Sequence, residues 1–167
     1  MQILFGLRAA LSFGLGVLIT FTQAHTYGVG SAVLAGFGLL LGLSSLGYVL
    51  RVKKFQWLIP LLIIATLVGV LALVTFINQT LQEVLFLPLV ALFGLSFAAF
   101  EGYLARRHRG SSPLGRDFAI SSVLSLALGL VFLLAPLDEV SAVGFLGAYL
   151  AISGVFWGIT AASPQPK

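Results

Sequence analysis

Cysteine is absent from this chain. Its absence removes disulfides, thiolate metal sites, cysteine nucleophiles and S-palmitoylation together. Charge is scarce as well. Asp, Glu, Lys and Arg make up 8% of the residues, against roughly 25% in soluble domains. The two histidines, His25 and His108, fall in loops expected on opposite sides of a membrane. They therefore cannot share a metal ion or a haem. No lysine lies inside an apolar run, no glycine-rich phosphate loop precedes a soluble helix, and no histidine–carboxylate cluster has metal-ligand spacing. The expectation is a chain without enzymatic activity, cofactor or metal site.

What the chain has in abundance is apolar surface. The hydrophobic fraction is 59%, above the roughly 45–50% of soluble proteins. A bilayer core about 30 Å thick needs about 20 apolar residues per helix. Six apolar runs answer that description, at residues 3–22, 28–50, 57–77, 84–105, 117–135 and 140–162. Together they take up about 125 residues, which leaves no room for a soluble domain. The expected fold is an all-α membrane protein with one transmembrane domain over residues 1–162 and a short tail, 163–167. The first run also reads as a signal peptide, because Thr22 and Ala24 suit a small-residue cleavage site. Arg8 lies inside that run rather than before it, which favours a retained helix.

Glycine spacing divides the six helices into three hairpins. Gly16 and Gly42 are 26 residues apart, and Gly69–Gly94 and Gly129–Gly154 are each 25 apart. Each pair sets one glycine near the middle of each helix, giving repeats at about 3–50, 57–105 and 117–162. Charge sets the orientation. Arg8, Arg51, Lys53, Lys54, Arg106, Arg107, Arg109, Arg116 and Lys167 all fall on one side of this arrangement. Short loops rich in Lys and Arg stay in the cytoplasm, so both termini are expected there. The net charge of +4 thus marks topology and not a nucleic-acid partner.

The third repeat reads SLALGLVFLLAPLDEVSAVGFLGAYLAISGVFWGITAA, and the first LSFGLGVLITFTQAHTYGVGSAVLAGFGLLLGLSSLG. Both open on Leu-Ser or Ser-Leu, carry a central glycine, and continue into a glycine-spaced second helix. This pattern resembles the HdeD family of short-repeat bacterial membrane proteins. The likeness is closest over 117–162, fair over the first repeat, and rests mainly on Gly69, Pro88 and Gly94 in the second. It implies a six-helix bacterial inner-membrane protein associated with acid or envelope stress, and carries over no catalytic or binding residue. An accessory subunit of a larger membrane complex, a homo-oligomer, and a small oligomeric transporter or channel are the other readings of such a chain. The almost wholly apolar outer halves of the helices argue against a water-filled path.

Two features stand out within the apolar runs. Small residues recur on the even-numbered helices: Gly38 and Gly42; Gly94, Ala98 and Gly102; Gly154 and Gly158. Small residues let helix backbones approach closely in lipid, so these stripes are expected to pack against helices of this chain or of another subunit. A ligand path along them is the functional alternative. Arg8 and Glu101 are the ionisable residues set well inside helices. Arg8 lies four before Ser12 and eight before Gly16, while Glu101 lies seven after Gly94 and three after Ala98, so each shares a face with small residues. Both fall in the same cytoplasmic layer. The expectation is an ion pair joining helix one to helix four, with snorkelling to the interface or a proton-responsive Glu101 as alternatives. Ser44, Ser45, Ser96, Ser122 and Ser125 are expected to bond back to their own helices.

Overall fold

The computed structural model describes residues 2–108 and 113–163. Arg109 of the basic loop and tail residues 164–167, including Lys167, lie outside the described residues, as do the side chains of Lys53 and Lys54. Six α-helices account for nearly all of the remainder: α1 (Gln2–Phe21), α2 (Tyr27–Arg51), α3 (Ile59–Ile77), α4 (Gln79–Arg107), α5 (Pro113–Leu134) and α6 (Glu139–Ala162). All six are long and apolar enough to cross a membrane. A 3-10 turn, Lys53–Leu58, leads into α3.

The helix starts follow from local capping chemistry. Helix N-termini leave N–H groups without partners, and Thr, Asn and Asp side chains supply acceptors. Thr26 Oγ1 accepts from Val29 N at 3.3 Å. Asn78 Oδ1 accepts from Thr80 N at 3.1 Å and Leu81 N at 3.4 Å. Asp138 Oδ1 accepts from Ser141 N at 3.3 Å. The capping by Asn78 starts α4 at Gln79, five residues ahead of the apolar run expected at 84–105. One residue separates α3 from α4, and Gln82 Nε2 reaches back to the Phe76 carbonyl at 2.8 Å. Likewise α5 begins at Pro113 and not near Asp117, because proline suits the first helical turn, where its missing N–H costs nothing. At 29 residues α4 is about 43 Å long, more than a bilayer core, and it carries Pro88 in its interior.

The closest helix neighbours are α1 with α6, α2 with α3, and α4 with α5. Consecutive helices α1–α2, α3–α4 and α5–α6 touch less extensively. The glycines show why. A Cβ on Gly94 would stand 2.6 Å from the Gly129 backbone nitrogen, and one on Gly38 would stand 2.5 Å from the Ala65 carbonyl oxygen. One on Gly16 would meet Ala151 N at 2.5 Å, and one on Gly154 would strike the backbone of Phe13. The glycines spaced 25 and 26 residues apart therefore do not meet each other. Each faces a helix other than its hairpin mate: Gly16 and Gly154 close α1 onto α6, Gly42 and Gly69 close α2 onto α3, and Gly94 and Gly129 close α4 onto α5.

Aromatic side chains fill the interior. Phe37 of α2 meets Phe93 of α4 edge-on, with ring centres 5.7 Å apart, and Phe93 meets Tyr149 of α6 at 5.9 Å. Toward the end that carries the N-terminus of α1, Trp157 lies against Phe5 at 4.9 Å and Phe118 at 5.4 Å. All of these rings are buried.

Candidate functional site: a buried ion pair

Arg8 and Glu101 meet in the interior. Arg8 Nη2 lies 2.6 Å from Glu101 Oε1, with the arginine side chain 6% exposed and the carboxylate side chain fully buried. The faces inferred from spacing explain the meeting. Arg8, Ser12 and Gly16 are the buried side of α1, and Gly94, Ala98 and Glu101 lie on the buried side of α4. Polar groups buried without partners are costly, so the surroundings of the pair matter as much as the pair.

Those surroundings come from α5 and α6. Ser125 Oγ donates to Glu101 Oε2 at 3.2 Å and lies 2.9 Å from the Tyr149 hydroxyl. A serine has one proton to give. With that proton on Glu101, Ser125 accepts from Tyr149, and a chain of hydrogen bonds runs from α6 through α5 to α4. Ser121, one helical turn before Ser125, accepts from Arg8 Nη2 at 3.5 Å. The guanidinium also lies over the Trp157 ring at 4.4 Å and 5.5 Å from the Phe97 centre, a placement that attracts cations electrostatically. Arg8 Nε, Ser12 Oγ, Ser45 Oγ and Trp157 Nε1 are buried without hydrogen-bond partners among the described residues.

Sequence reasoning missed the contributions of Ser121, Ser125, Tyr149 and Trp157 to this cluster. The serine pair Ser121 and Ser125, four residues apart on one face of an apolar helix, was the available signal. Three serines depart from the expected return bond to their own helix, Ser45 by having no hydrogen-bond partner among the described residues. Ser125 serves Glu101, and Ser122 Oγ donates to the Ala98 carbonyl of α4 at 2.8 Å. Ser44 and Ser96 do bond back to their own helices, through Leu40 O and Phe93 O.

The remaining small residues divide by how tightly they are covered. Gly38, Gly42, Gly94 and Gly154 lie against neighbouring backbone, and Ala98 is buried beside Glu101's face. A Cβ on Gly102 would approach Ser122 Oγ at 3.1 Å. Gly158 is looser, with Ala9 Cβ as its nearest neighbour at 3.8 Å. Among the described residues no group of three or more His, Cys, Asp or Glu side chains is placed to hold a metal ion. No protein family model, curated protein or solved structure matches this chain.

Proposed function

We propose that this chain is a non-enzymatic multi-pass protein of the bacterial inner membrane, built from three hairpin repeats with both termini in the cytoplasm. In this reading it serves in envelope or acid stress, as its HdeD-like glycine pattern implies, or as an accessory subunit of a larger membrane complex. The observation that carries the reading is the condition of the interior charge. Glu101 is fully buried and held by Arg8 and Ser125, and the guanidinium is covered by Trp157. Ionisable groups arranged this way hold helices in register. Pores and coupled transporters instead present such groups along a water-filled path.

The orientation rests on charge. Arg51, Arg106 and Arg107 end α2 and α4, Arg116 lies in the first turns of α5, and Arg8 lies in the first half of α1. Alternating helix directions put all of them at one end of the bundle, while Glu83, Asp138 and Glu139 lie at the other. Extraction in a mild detergent, followed by mass spectrometry of the co-purifying proteins, tests the proposal. A reproducible foreign partner supports the accessory role. A pure homo-oligomer that conducts ions in liposomes overturns it.

A further inference from the structure

We infer that the groove between α4 and α5, at the arginine-bearing end of the bundle, binds one anionic phospholipid. The groove has a volume of about 420 Å³. Ala98 and Gly102, a methyl and a bare backbone, line it beside the tightly packed α4–α5 seam. Its deep end is apolar, lined by Leu95, Ala99 and Leu126, and its mouth is lined by Tyr103 and Arg106. Both mouth residues are exposed.

Length and charge identify the occupant. From Leu95 to Arg106 is eleven residues, about 16 Å along the helix. That is about one leaflet of a 30 Å hydrocarbon core. The groove is thus apolar over the depth of a lipid chain and cationic where a lipid phosphate lies. Arg107 Nη1 lies 3.5 Å from the Tyr103 hydroxyl and donates to it, which brings a second guanidinium beside the mouth. Ser122, lower in the groove, gives its proton to the Ala98 carbonyl at 2.8 Å, so the hydroxyl it adds to the wall is already satisfied within the protein. Two other surface grooves provide a contrast. One between α1 and α6, of about 590 Å³, and one between α3 and α4, of about 300 Å³, are lined without a charged residue. Both suit acyl chains of any lipid. The α4–α5 groove alone among these three has a headgroup end of one sign.

This inference rests on the membrane-spanning reading and is independent of any stress or accessory role, since its readout is lipid and not a protein partner. The test is native mass spectrometry of protein purified in a mild detergent and supplied with phosphatidylglycerol or phosphatidylcholine. The expected result is one retained phosphatidylglycerol and little phosphatidylcholine. Arg106→Gln should lower retention about fivefold, the effect of one basic residue on an anionic lipid. Ala99→Leu fills the groove from an exposed position without altering charge, and it should also lower retention. Arg51→Gln, an exposed basic change at the end of α2, should leave it intact. Equal retention of both lipids, full retention in Ala99→Leu, or equal loss in Arg51→Gln would overturn the site. If Arg106→Gln does not fold, the Ala99→Leu and Arg51→Gln comparison decides alone.

Discussion

Arg8 of α1 and Glu101 of α4 lie 2.6 Å apart with almost no exposed surface, so each is the other's only full counter-charge among the described residues. Removing one partner leaves an uncompensated buried charge, which costs about 3–5 kcal/mol. Arg8→Ala and Glu101→Ala should each lower stability by about that amount in detergent unfolding. Replacing both, as Arg8→Met with Glu101→Leu, should recover most of the loss. A double variant as unstable as the worse single variant would show that the pair is not the coupled unit.

Ser125 bridges Glu101 and Tyr149. Ser125→Ala removes a donor from one buried group and an acceptor from another, and an unsatisfied buried polar group costs about 1–3 kcal/mol. Ser96→Ala removes only a bond to its own helix and should be close to neutral. Thermal unfolding of the two variants side by side checks the difference.

The small residues should not respond alike to substitution. Gly94→Ala forces a methyl against the Gly129 backbone, and overpacking of this kind costs about 1–3 kcal/mol. At Gly158 the nearest atom is 3.8 Å from an added Cβ, and at Gly14 nothing lies within 4 Å. Alanine at those two positions should be neutral or slightly stabilising. A Gly158→Ala variant as damaged as Gly94→Ala would mean that another surface covers Gly158 in the membrane.

Asp138 caps α6, and hydrogen bonding from the Ser141 side chain first, and from the Ser141 backbone N–H second, holds its carboxyl below the usual Asp value. A carboxylate whose pKa is depressed on folding stabilises the fold above its unfolded value, about 3.9. That contribution fades as pH falls below 3.9 and is gone once pH has dropped through the lower folded value. Asn also caps helices but carries no titrating proton. Asp138→Asn should therefore keep α6 intact near neutral pH and flatten the acid limb of a stability–pH profile.

The absence of cysteine makes topology directly testable. Thr26→Cys, at the start of α2, and Ser163→Cys, just beyond α6, need no background thiol removed. The proposed orientation, both termini cytoplasmic, predicts that an impermeant maleimide added to intact cells labels the first and spares the second. Labelling of Ser163→Cys alone would invert the orientation.

The six helices were legible because apolar runs of this length have no other stable form, and the faces of Arg8 and Glu101 were legible because helical periodicity assigns faces. Periodicity does not say which neighbour a face meets. Gly16 and Gly42 read as one hairpin's pair, yet they close two different seams. Residues 79–83 fall outside the apolar runs because they are mostly polar, but a single Asn78 cap suffices to reverse the chain and lets α4 start there. The roles of Ser125 and Tyr149 were hidden for a related reason. A serine in an apolar helix has a ready acceptor one turn back, and only the fold shows that a buried carboxylate outbids it.

The seam between α1 and α6 has a consequence for biosynthesis. Of the six helices, α1 is the first made and α6 the last, yet Gly16 and Gly154 fit only when the two lie together. Until α4 emerges, Arg8 has no counter-charge, and until α6 emerges it has no Trp157 above it. A chain made only as far as α3 thus lacks both the carboxylate that matches Arg8 and the helix that covers Gly16. The charge is matched when α4 arrives, and the glycine face and the open side of the guanidinium are covered only when α6 does, so the last helix made closes the interior around the first.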